Sequence, residues 1–144
     1  MTMSSNGYRR VIVAMVLLAL MTGCQWLPVV RAPVPIHYVV IEDGVSDTDL
    51  RAKAGEEVRW VNVRAAPVAV IFSGLARDDL SCKRWFEKDE AARMTAIIFP
   101  DEHASLCFTK SGRKIYRVLD AQRPGVELNH AATVLVIDAG GPPS

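Results

Sequence analysis

The stretch Ala54–Phe72, A-G-E-E-V-R-W-V-N-V-R-A-A-P-V-A-V-I-F, reads as two strands around a short turn, and the rest of the chain is placed relative to it. From Glu57 to Asn62, Val58 and Trp60 fall on one face and Arg59 on the other. This is the period of two that marks a strand with one buried face. Val68–Phe72 is apolar throughout and is expected to be covered on both sides, or nearly so.

Outward from this pair, Ile36–Ile41 (I-H-Y-V-V-I) is β-branched and aromatic enough for a first strand, and Leu50–Ala52 makes a short second one. Further strands are predicted at Ala96–Phe99, Ser105–Thr109, Lys114–Leu119 and Thr133–Ile137, separated by turns at Pro100-Asp101-Glu102 and Ser111-Gly112. Residues 73–93 break the pattern: apart from Leu80, Trp85 and Phe86 they are dominated by charge. They read as a long excursion with one helical segment over Asp89–Met94, where Glu and Ala favour helix. Loops this long in compact domains are usually functional or pinned. Seven or eight short strands between Gly, Pro and Asp turns predict an all-β protein, a β-sandwich. Trp60, Ile71, Phe108 and Tyr116 are expected in its core, with Arg59 and Arg113 on its surface.

The order G-E-E-V-x-W-V-N, four residues, Pro67 and then an apolar strand resembles the first half of a cupredoxin, the plastocyanin- and azurin-like family of small copper proteins. Further on, P-D-E followed by L-C-F-T-K-S-G-x-x-x-Y is similar to the family's P-G-E and its strand ending in Phe-x-x-x-Gly, with Phe108, Gly112 and Tyr116 at the matching places. The resemblance covers residues 36–138 and implies a Greek-key β-sandwich. It also implies where copper would be held. The first histidine ligand's place falls on Val68, after Asn62 and Pro67; the cysteine's falls on Val118; the second histidine's falls on or near Ala121; and the methionine's falls near His130. A blue-copper centre needs a thiolate and two imidazoles, with the axial group only tuning it. Valine and alanine donate nothing, so the expectation is a cupredoxin-like domain without copper, with His130 as the one weak metal candidate. An end lined by Pro67, Val68, Val118 and Ala121 would then be an apolar patch fit for a partner.

The N-terminus carries Arg9 and Arg10, an apolar run from Val11 to Met21, and Met21-Thr22-Gly23-Cys24. This is a secretory signal, too short to span a bilayer comfortably. Its last four residues resemble a bacterial lipobox, which implies removal of residues 1–23 and lipidation of Cys24. The other reading is a soluble exported protein cut nearby. Gln25 after the cysteine resembles the pattern sent to the outer membrane, facing the periplasm. Residues 24–35, with Pro28, Pro33 and Pro35, read as an extended tether or a disordered leader, residues 36–139 as the domain, and 140–144 as a tail. Without residues 1–23, 15 basic side chains stand against 16 acidic ones, which gives no electrostatic reason to bind nucleic acid or anionic lipid.

With Cys24 assigned to lipid, Cys82 and Cys107 remain, and a pair in an exported protein is expected to be oxidised. By the resemblance Phe108 points inward and Cys107 outward, so the bond would lay the excursion across an outer sheet face. The competing reading is a redox-active pair. Asp101-Glu102-His103 is the tightest titratable cluster, read as a solvated turn in preference to a metal or acid–base site. There is no G-x-S-x-G, phosphate-cradling glycine loop or framed pair of carboxylates. The expectation is a non-enzymatic, membrane-anchored lipoprotein of the cell envelope that takes no cofactor and binds another envelope component, such as an envelope protein. The alternatives are a periplasmic metal-binding or electron-transfer protein with a non-standard site, and a purely structural envelope protein.

Overall fold

Ten strands build two sheets: β1 (Ile36–Ile41), β2 (Asp49–Lys53), β3 (Glu57–Asn62), β4 (Val68–Phe72), β5 (Leu80–Arg84), β6 (Glu87–Lys88), β7 (Met94–Ile98), β8 (His103–Phe108), β9 (Gly112–Asp120) and β10 (Ala132–Ile137). The structure, a computed structural model, describes residues 32–129 and 131–140. The signal segment 1–23, Cys24, the tether through Arg31, His130 and the last four residues lie outside the described residues.

One sheet has the order β1-β3-β8-β5 and the other β2-β10-β9-β4-β7-β6. The β1–β3 and β2–β10 pairs are parallel and the remaining pairs antiparallel. The alternation read from Glu57–Asn62 is real: Val58, Trp60 and Asn62 are buried and the residues between them only partly so. The two inner faces meet in a core centred on Trp60, whose ring takes Phe72, Phe86 and Tyr116 edge-on, each 5.5 Å away. Such edge-to-face pairs add about 0.5–1.5 kcal/mol each beyond area burial. Phe108 and Tyr116 are buried as expected, and Arg113 is exposed. Ile71 is buried too, but on the outer face, opposite Thr95 and Arg117. Arg59 is half-buried rather than exposed, because its guanidinium donates to Glu57 at 2.8 Å and stacks 5.6 Å from the Tyr38 ring.

The excursion departs from expectation in both content and course. Its two added strands bring the total to ten: β5 joins the edge of the first sheet beside β8, and β6 joins the edge of the second beside β7. Between them Trp85, at φ 65°, swings the chain from one sheet to the other. It leaves its own ring 69% exposed and drives Phe86 into the core. No helix forms at Asp89–Met94. The Asp89 carboxylate accepts from the Arg93 backbone N–H at 2.9 Å and from its Nε at 2.8 Å, closing a tight turn between β6 and β7. Hairpin pairing and a local carboxylate bond outweigh the helix propensity of two alanines. The only helical piece among the described residues is a 3-10 turn, Arg77–Asp79.

Cys82 and Cys107 are bonded, as expected. They are register partners on adjacent strands, with Cα atoms 4.9 Å apart, so the bond ties β5 to the sheet edge and does not lay the excursion across the face.

Candidate functional site

Of the positions singled out by the resemblance, Asn62, Pro67, Val68, Val118 and Ala121 come together where β4 begins and β9 ends. Asn62, the last residue of β3, is fully buried, and its side chain holds the turn that delivers Pro67. Its Nδ2 donates to the Ala66 and Ile98 carbonyls, both at 2.9 Å, and its Oδ1 accepts from the Arg64 N–H at 3.0 Å. Its backbone meanwhile pairs with Glu102 and Asp101. One asparagine thus fastens two loops at the same end of the sandwich.

Val68 then starts β4 with its side chain completely buried, and Val118, in β9, is equally buried. Val68 pairs with Asp120 in the β4–β9 ladder, and the Ala121 N–H continues that ladder to the Pro67 carbonyl at 3.1 Å. The expected apolar surface of Pro67, Val68, Val118 and Ala121 is therefore corrected. Both valines belong to the core, because strand alternation turns positions 68 and 118 inward, and only Pro67 and Ala121 keep partial exposure.

What closes this end is an ion-paired cap. Asp120, 3% exposed, accepts from Arg123 Nε at 3.0 Å and from Arg123 Nη2 at 2.7 Å, and Arg64 Nη2 lies 3.6 Å from the same oxygen. Its other oxygen accepts the Gln122 and Arg123 backbone N–H groups at 3.0 and 3.2 Å. The Arg123 hydrogen bonds, aided by the Gln122 N–H, hold the Asp120 carboxyl below the usual carboxylate range against the opposing effect of burial. Arg64 also donates to the Glu42 carbonyl at 3.0 Å, and Asn129 Oδ1 accepts the Val118 N–H at 3.0 Å. Among the described residues the cap has no thiolate and no imidazole.

Elsewhere, Asp101 and Glu102 are exposed in their turn, Asp101 at φ 62°, and His103 begins β8 half-buried. Among the described residues no three His, Cys, Asp or Glu side chains are grouped closely enough to hold a metal ion.

No protein-family model matches the chain, and no curated protein matches it. Solved structures do. A methionine-to-alanine variant of amicyanin in its Cu(I) form superposes with a TM-score of 0.51 and 22% identity, over 74% of this chain and 87% of that one. An oxidised proline-to-alanine variant gives 0.51 and 23% over 74% and 87%, and a Cu(I) methionine-to-glutamine variant gives 0.50 and 24% over 71% and 82%. The chain has the cupredoxin fold.

Within this cupredoxin fold, the residues that sequence reasoning overlooked are Arg64, Asp120 and Arg123. Their signal was present only in part: Asp120-Ala-Gln-Arg123-Pro-Gly is a loop whose leading aspartate caps its own backbone two and three residues on. Nothing local to that loop points to Arg64, which arrives from the β3–β4 turn.

Proposed function

We propose that this chain is a membrane-tethered cupredoxin-fold binding module of the cell envelope, in which an ion-paired cap has taken over the end that copper occupies in the family. It works as a binding domain and not as an enzyme, is held through lipid on Cys24 and faces the periplasm. The observation that carries this reading is the pair of fully buried valines, Val68 and Val118, at the positions of the strong donors, beside the Asp120 cap. Apolar packing and backbone ladders maintain the same strand ends that a metal would otherwise cross-link, so the fold has no need of the ion.

Copper titration of the purified protein tests it. Cu(II) is expected to give no intense thiolate charge-transfer band and less than about 1 kcal/mol of stabilisation at micromolar metal, since only binding to the native state stabilises. A stoichiometric complex that His130→Ala abolishes overturns the reading in favour of a metal protein with a non-standard site.

A further inference from the structure

The excursion builds a feature that the ion-paired cap leaves unexplained. Between the edge strands β5 and β6 lies a groove of about 430 Å³, lined by the cations Arg77, Lys83 and Lys88 and by Leu80, Cys82 and Met94. A neighbouring groove of about 370 Å³ shares Lys88 and is walled by Trp85, Thr95 and Ile97 and by the acids Glu87 and Asp89, the latter paired with Arg93. Arg77, Lys83, Arg84 and Lys88 have no ion-pair partner among the described residues, whereas the nearby acids Asp78 and Asp79 are held by Lys110. Lys83 Nζ donates only to the Phe86 carbonyl, at 3.2 Å, which leaves its charge uncompensated. One tip of the sandwich therefore presents four cations without an ion-pair partner beside the exposed Trp85, against two acids, Glu87 and Glu90, that likewise have none among the described residues. A local excess of cations thus sits on a chain of near-neutral overall charge, and Ile97, 56% exposed, lies on the strand alongside.

Trp85 is the unusual member. A bulky side chain at φ 65° is a strained placement, and such strain is stored where a site requires it. Here it sends one aromatic ring into solvent while its neighbour Phe86 goes to the core. An amphipathic indole beside lysines and arginines is the composition that settles at a bilayer interface, the ring at headgroup level and the cations on anionic phosphates.

We propose that this tip is a headgroup site: the groove between β5 and β6 receives the phosphate of an anionic phospholipid on Arg77, Lys83 and Lys88 while Trp85 enters the interface. The inference rests on the membrane tether proposed above. The nine residue-to-residue steps from Cys24 to Pro33 reach at most about 30 Å when fully extended. The strand that the tether feeds, β1, lies three strand spacings from β5, about 14 Å. The tip is therefore within reach of the surface that holds the lipid. The anchor keeps the groove at high effective concentration over headgroups, so individually weak contacts suffice.

The test reconstitutes the purified full-length protein, as extracted from membranes, into vesicles of phosphatidylcholine alone or with phosphatidylglycerol. It reads the fluorescence assigned to Trp85 by difference from Trp85→Phe. With phosphatidylglycerol that component is expected to shift blue and to be quenched several-fold more by brominated acyl chains than in phosphatidylcholine. Lys83→Ala with Lys88→Ala, or high salt, should abolish the difference, and millimolar inorganic phosphate should leave it largely in place. Equal quenching in both lipids, full access of Trp85 to aqueous iodide over phosphatidylglycerol, or competition by free phosphate at low concentration overturns the lipid assignment. So does a photo-crosslinker at position 85 that captures only protein in native membranes. A chain that fails to stay with vesicles of either composition refutes the Cys24 tether instead. The same Trp85 readout, with vesicles added from outside, then still decides the headgroup contact.

Discussion

Val68 and Asp120 face each other across the β4–β9 ladder, an aliphatic core residue beside a carboxylate held by two arginines. The pairing places the ion-paired cap next to the position at which the resemblance puts a histidine ligand.

The cap makes stability depend on pH in a definite direction. Asp120 is held below the usual carboxylate range by Arg123, Asp79 by Lys110, Asp89 by Arg93, and Glu56 by the Lys53 N–H and then His37. A carboxyl with a lowered folded pKa stabilises fully above its unfolded value, about 4, and loses that contribution as pH falls through the folded value. Melting temperature is therefore expected to fall steeply below about pH 4. Asp120→Asn should be less stable than wild type at pH 7, with the gap closing toward pH 2. A gap that does not change with pH would show that the carboxylate's charge is not what the cap uses.

At the other extreme, burial pushes the Tyr116 phenol up to about 12 from an ordinary value of 10.0. Its contribution is complete below pH 10 and is lost as pH rises toward 12. Tyr116→Phe should remove that alkaline limb, followed as thermal midpoint against pH. An unchanged limb would assign it to other groups.

Two adjacent aromatics should behave in opposite ways. Phe86, 1% exposed, touches Trp60 and Phe72, so Phe86→Ala is expected to cost about 3–5 kcal/mol. Trp85→Ala, on the solvent side, should change stability by no more than about 0.5 kcal/mol. Urea denaturation of the two variants measures both. Similar costs would mean that the chain crosses between the sheets differently.

The Cys82–Cys107 bond closes a loop with a sequence separation of 25, and loops of this size contribute roughly 3 kcal/mol by chain entropy. Cys82→Ala with Cys107→Ala is expected to lose about that much and to free the β5 edge, seen as faster amide exchange at residues 80–84 than at β3. Alkylation of both cysteines in protein taken directly from the envelope would exclude the bond.

The tether is tested at Cys24. Cys24→Ala should remain unprocessed and keep residues 1–23, as read from intact mass and membrane fractionation. Release of the variant at the wild-type mature size would remove lipid anchoring and leave the soluble exported form.

The strands around Trp60, the two-sheet sandwich and the pairing of Cys82 with Cys107 were legible in the chain itself. The first two rest on local patterns, alternation within six residues and turn residues at fixed offsets, and the third on two cysteines being left once Cys24 is assigned to lipid. Tertiary structure alone decided that Val68 and Val118 are core and not surface, that Arg64 reaches Asp120 from a distant turn, and that Phe86 turns inward while Trp85 turns outward. Burial and ion pairing are set by which strands become neighbours, and the excursion's two short strands are held by the sheet edges they join. Within residues 73–93 the local signals are weak and point toward helix, so only long-range pairing with β7 and β8 settles what that segment does.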